Sequence, residues 1–134
     1  MTHPALALQQ AVVAALIADA AVGALIGNRI YDAPPRDAVF PYATVGDTRV
    51  ADLSTATEAG AEHRLTLNVW SRERGKRQCY EILEAIEAAL HDAPLALDDH
   101  ALVNLRFEFA EVGRERDGIT YRGQARFRAV TEAG

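Results

Sequence analysis

Neighbouring histidines and carboxylates are the residues from which a metal site or a general base would be built, and the chain has two such places, His91-Asp92 and Asp98-Asp99-His100. Both lie around Pro94 in what reads as a loop, whereas a metal needs ligands held in fixed geometry, so they read as solvated turn residues. Ser71 and Cys79 are the candidate nucleophiles. Neither has a nearby base with a third orienting group, and Cys79 falls on an apolar helix face, where a thiol behaves as a small hydrophobe. Glycines never take a phosphate-cradling spacing, neither G-x-x-x-x-G-K nor G-x-G-x-x-G. The run from Arg72 to Arg77 is the densest basic stretch. It is either a solvated helix start partly neutralised by Glu73, or a contact through Arg72, Arg74, Lys76 and Arg77 for a phosphate or an acidic partner surface. Trp70 and Tyr42 sit near strand ends, suited to core or rim packing and also of the type enriched at protein interfaces. No motif specifies catalysis, so the expectation is a protein without enzymatic activity, cofactor or metal.

The elements that hold these residues follow from length and pattern. A chain of 134 residues is one domain, 1–134. Hydrophobic residues at 49% and charged residues at 25% fit a packed globular core. Against 19 Asp and Glu the 14 Lys and Arg leave a net charge of -5, the wrong sign for gripping nucleic acid over the whole surface. The single Cys excludes an internal disulfide. Ala11 to Ile17 is apolar, but no Lys or Arg precedes it and Asp19 cuts it short, so neither a signal peptide nor a membrane span is expected.

Helical spacing covers Pro4 to Ala18, with Leu6, Val13, Leu16 and Ile17 on the face expected to be buried, and a second turn runs from Ala20 to Ile26, stopping at Gly27-Asn28. Arg29 to Tyr31 is extended, the two prolines after Ala33 make a turn, and Pro41 to Val45 is a strand. Residues 49–61 show no sustained period and read as a long mobile loop. Leu65, Leu67 and Val69 alternate with polar residues as a strand running into Trp70, after which Ser71 is expected to cap a helix whose apolar face is Cys79, Ile82, Leu83, Ile86 and Leu90. Glu81, Glu84 and Glu87 take its other face, and His91-Asp-Ala-Pro94 ends it. Two long strands close the chain, about 102–112 and 119–131. Segregated hairpins with helices on one side read as α+β, a mostly antiparallel sheet with an N-terminal helix and a second long helix packed on one face.

A two-residue Asp117-Gly118 turn would put the apolar sets of the last hairpin on opposite faces. A three-residue loop, Arg116 to Gly118 with Gly118 left-handed, instead pairs Leu105 with Ala129, Phe107 with Phe127 and Phe109 with Ala125. On the outer face this sets Glu108 across from Arg126, and Arg106 across from Arg128. The latter is an unfavourable pair of ~0.2 to 1 kcal/mol unless both splay into water or a partner supplies an acid.

Read in order, Leu16-Ile-Ala-Asp-Ala, Gly27-Asn-Arg-Ile-Tyr-Asp-Ala-Pro-Pro, Phe40-Pro-Tyr-Ala-Thr-Val-Gly and Leu65-Thr-Leu-Asn-Val-Trp-Ser-Arg resemble one family. Ala89-Leu, Arg116-Asp-Gly-Ile-Thr-Tyr-Arg-Gly and Phe127-Arg-Ala-Val-Thr-Glu continue the likeness, so it spans nearly the whole chain. The family is that of the tail-completion or tail-terminator proteins of long-tailed phages and gene transfer agents. The resemblance implies a structural protein that forms a ring, commonly hexameric, on the finished tail tube. That ring stops polymerisation, offers the surface for the head-tail connector protein and lets DNA pass only in transit. It further implies assembly in a bacterial cytoplasm and residence at the neck end of a virion tail. Heterologous ring contacts make Arg106, Arg126, Arg128 and Glu108 interface candidates, with Glu81, Glu84 or Glu87 as the neighbour's acid. The competing readings are a head-side neck or adaptor joining protein, a small cytoplasmic α+β binding domain, and an enzyme with scattered catalytic residues.

Overall fold

A computed structural model of the chain describes residues 2–134. The first helix, α1 (Pro4–Ala18), starts where the His3 Nδ1 accepts the Ala5 N–H at 3.1 Å, with Pro4 in the first turn. Asp19 leaves helical geometry, and its carboxylate accepts the Val22 N–H at 3.0 Å, so one residue stops α1 and caps α2 (Ala20–Ile26). The two helices meet at 80°, and no single helix is long and apolar enough to cross a membrane. Gly27, at φ 60°, ends α2.

Five strands follow: β1 (Ile30–Tyr31), β2 (Tyr42–Asp52), β3 (Gly60–Ser71), β4 (His100–Arg114) and β5 (Tyr121–Ala133), with α3 (Arg77–Leu90) between β3 and β4. They form one sheet in the order β1-β2-β3-β5-β4. Only the short β1 runs parallel to its neighbour; the other pairings are antiparallel, the α+β arrangement expected.

Alternation divides the sheet into two faces. Val45, Leu65, Leu67, Val69, Leu105, Ala125, Phe127 and Ala129 are buried under the helices together with Leu8, Val12, Leu16, Cys79, Ile82, Ile86 and Leu90. The tightest approach is at Gly123 on β5, where a Cβ would stand 2.9 Å from Leu83 Cδ1 and 3.3 Å from Cys79 Cβ, so only glycine lets α3 lie that close.

Four expectations give way. The buried face of α1 is Ala7, Leu8, Val12 and Leu16, while Leu6 and Ile17 remain 47% and 48% exposed. A helix that is apolar all round carries no periodic signal for which side packs. Ser71 does not cap α3: it is the last residue of β3, its Oγ donating to Gln78 Oε1 at 2.6 Å and accepting the Glu73 N–H at 3.2 Å, and α3 starts later, at Arg77.

Residues 49–61 are no long loop but the two arms and turn of a hairpin, with Arg49 opposite Arg64 and Asp52 opposite Ala61. Only 53–59 lie outside the strands. The last hairpin keeps the expected pairs Leu105 with Ala129, Arg106 with Arg128 and Phe107 with Phe127. A bulge between Phe107 and Phe109 then shifts the register, so Phe109 stands opposite Arg126 and Ala110 opposite Ala125. Phe109 is thereby turned from the core to the bare face and is 42% exposed. Val103, at a second bulge, is also exposed.

Candidate assembly surfaces

The side of the sheet that no helix covers carries a row of arginines. Arg49, Arg64, Arg128 and Arg106 stand opposite one another on β2, β3, β5 and β4, one per strand. Like charges directly opposed each cost a few tenths of a kcal/mol, about 0.2 to 1, so the row needs acids. The chain supplies them. Glu62 accepts from Arg128 Nε at 2.9 Å and Nη2 at 2.6 Å, and its other oxygen lies 3.0 Å from Arg64 Nη1. Arg64 Nε reaches Glu108 at 3.2 Å, and Arg106 Nε lies 3.4 Å from Asp92. The hydrogen bonds from Arg128, with the nearby Arg64, hold the Glu62 carboxyl below the usual carboxylate range. Glu108 is the extra residue of the bulge and does not face Arg126. Arg126 instead donates to Thr66 Oγ1 at 3.0 Å and lies 5.7 Å from the Phe109 ring centroid.

At one end of the same sheet the basic run forms the link from β3 to α3. Arg72 is held on two sides: its guanidinium sits 4.3 Å over the Phe40 ring and its Nε donates to Thr120 Oγ1 at 3.1 Å. Thr120 in turn donates to Asp117 Oδ2 at 2.6 Å, and the donors of Thr120 and Ile119 keep the Asp117 carboxyl lowered. Arg77 pairs with Glu81 at 2.8 Å within α3, while Arg74 and Lys76 are exposed. Tyr42 stacks on Trp70 with ring centroids 6.5 Å apart, and the Trp70 indole donates to Thr44 Oγ1 at 3.0 Å.

Residues 10–132 match the family described as tail completion protein gp17. The chain belongs to that family. Tail completion protein gp17 of Bacillus phage SPP1 is 25% identical over 96 residues, 72% of this chain and 71% of its own. Among solved structures, a chain of the virion of a native gene transfer agent particle superposes with a TM-score of 0.92 at 35% identity, covering 99% of this chain and 100% of that one. The SPP1 gp17 structure shares the fold, with a TM-score of 0.62 at 22% identity over 92% of this chain and 88% of its own.

In this tail completion protein the candidate residues fall into three places. Arg106, Arg126, Arg128 and Glu108 gather on the bare face or its bulge. Glu81, Glu84 and Glu87 lie along α3, which packs on the opposite face. Arg72, Arg74, Lys76 and Arg77 lie at the sheet end. Arg49, which completes the arginine row, was hidden in the stretch read as a loop, while Glu62 and Arg64 stand just beyond it, Arg64 among the polar residues that alternate in the next strand. Their signal was the spacing of Glu62 and Arg64, two apart and therefore on one face of a strand.

The would-be chemical groups are otherwise engaged. Cys79 is buried, and burial pushes its thiol up to about 11. His91 Nδ1 accepts the Phe107 N–H at 3.0 Å, and His100 Nε2 lies 2.7 Å from the Thr2 carbonyl. Among the described residues no group of three or more His, Cys, Asp or Glu is placed to hold a metal.

Proposed function

We propose that this chain is a structural tail terminator: copies close into a ring, six in number, that caps the tail tube, ends its polymerisation and presents the surface on which the head-tail connector protein joins. The observation that carries the reading is the superposition over 99% of the chain, at 35% identity, on a component of a gene transfer agent virion. DNA meets the ring only in transit through its lumen, and assembly takes place in the bacterial cytoplasm before the protein takes its place at the neck end of the tail. The role needs no catalytic step.

A closed ring joins unlike surfaces of neighbouring copies. The bare face is one such surface, presenting Arg106, Arg126, Arg128 and Glu108 without a helix over them. The solvent side of α3, with Glu81, Glu84 and Glu87, is the other. Since Glu62 and Asp92 already neutralise Arg128 and Arg106 within the chain, contact between these surfaces exchanges or extends existing pairs and leaves no arginine to be rescued.

Electron microscopy of the purified protein mixed with polymerising tail-tube protein tests the reading. Shorter tubes with an extra ring at one end are expected. Tubes of unchanged length with bare ends would reject termination and point to a head-side joining role.

A further inference from the structure

Charge is distributed unevenly along the strands, and the net value of -5 conceals it. The register sets Tyr42, Trp70, Arg122 and Gly113 level at one end of the sheet, and Asp52, Ala61, Thr131 and Leu102 level at the other. At the first end, segments 29–41, 70–77 and 113–122 carry nine Lys or Arg against five Asp or Glu. At the second, leaving aside Glu62 and Asp92, which are paired with arginines of the bare face, segments 50–61, 93–101 and 130–134 carry five Asp or Glu and no Lys or Arg. Nine steps of β3, from Trp70 to Ala61, separate these levels by roughly 30 Å, several Debye lengths at physiological salt, so each end presents its own field to whatever approaches it.

The basic end also exposes apolar anchors. Val39 is 64% exposed and Ile119 58%, on either side of the Arg72 guanidinium held over Phe40. Exposed aliphatic residues beside a stacked arginine are the composition of a protein contact, because a nucleic acid backbone offers nothing to bury them against.

We propose that the two ends dock two different protein neighbours in the tail, distinguished by charge: the basic end takes an acidic protein surface and the acidic end a basic one. This rests on the tail-completion reading and adds to it a built-in orientation, since an inverted copy would set like charges against both neighbours at once.

Paired charge reversals measured against purified tail-tube protein and purified connector protein, in low and in physiological salt, test the proposal. Arg74→Glu with Lys76→Glu should weaken binding to one of the two by at least about tenfold and leave the other unchanged. Glu58→Lys with Glu132→Lys should do the converse, and both losses should shrink as salt rises. Circular dichroism of each variant checks that the fold is kept. Loss of the same partner in both variants, loss of neither, salt-dependent end-to-end stacking of the unsubstituted protein, or competition by duplex DNA for the basic end would overturn it. Failure of the unsubstituted protein to bind either partner would instead overturn the tail-completion reading beneath it.

Discussion

The covered and bare faces of the sheet are made by the same strands, residue by residue in alternation, yet they obey different physics. On β5, Ala125, Phe127 and Ala129 are fully buried under the helices, while Arg126 and Arg128 between them project from the other side. The covered face is held by close packing, in which every methylene counts. The bare face is held by arginine-carboxylate contacts open to water, which contribute little to stability and are free to be exchanged. Close packing and exchangeable ion pairs thus occupy opposite sides of one strand.

The contrast can be attacked by substitution. Phe127→Ala should give the largest effect, a loss of ~3 to 5 kcal/mol in chemical denaturation, because the ring is fully buried and packs edge-on against Phe107 at 5.7 Å. Gly123→Val comes next at ~1 to 3 kcal/mol, since even its Cβ would press on Leu83 and Cys79 and force α3 away from β5.

Acidification probes the faces through different groups. Burial, with His3 and His100 nearby, lowers the pKa of His63, which lies 2.9 Å from Thr131 on the covered side. The unfolded chain therefore binds this proton more readily, and stability should decline as the pH falls below about 6.5, the ordinary histidine value. His63→Gln should flatten that slope in a series of melts across pH. Glu62 has its pKa lowered by Arg128, so its contribution is present above about 4.5 and is lost on acidification below it.

The smallest effect on folding is expected from Arg128→Ala, with a denaturation midpoint shifted less than that of Gly123→Val. In the tube-capping assay the same variant should be the more damaging of the two. If Arg128→Ala unfolds the chain as Phe127→Ala does, the division of labour between the faces collapses.

How far the sequence could be read follows the same division. The covered face announces itself wherever burial forces alternation: Leu65, Leu67 and Val69, the helical spacing of Cys79 to Leu90, and the pairing of Phe107 with Phe127 were all legible. The alternation says nothing where burial ends. The arms of the β2–β3 hairpin are largely solvent-exposed at 48–58, so no apolar period betrays them, and Arg49 was lost with them. A bulge adds one residue without changing composition, which is why Glu108 and Phe109 could not be placed by counting. The first helix failed for the opposite reason, having apolar residues on every side. Of the bare face, the opposition of Arg106 and Arg128 was readable because it is locked to a buried pair next to it. The row of four was not, because two of its members lie on strands that pair through the β2–β3 hairpin.

Trp70 is the chain's only tryptophan, and it sits partly open at the basic end, stacked on Tyr42 and hydrogen-bonded to Thr44. Its fluorescence is therefore an intrinsic optical reporter of that end alone. A partner that seats there will dry the indole and shift its emission to the blue, while a partner seated on the acidic end, roughly 30 Å away by strand rise, will leave the spectrum as it was.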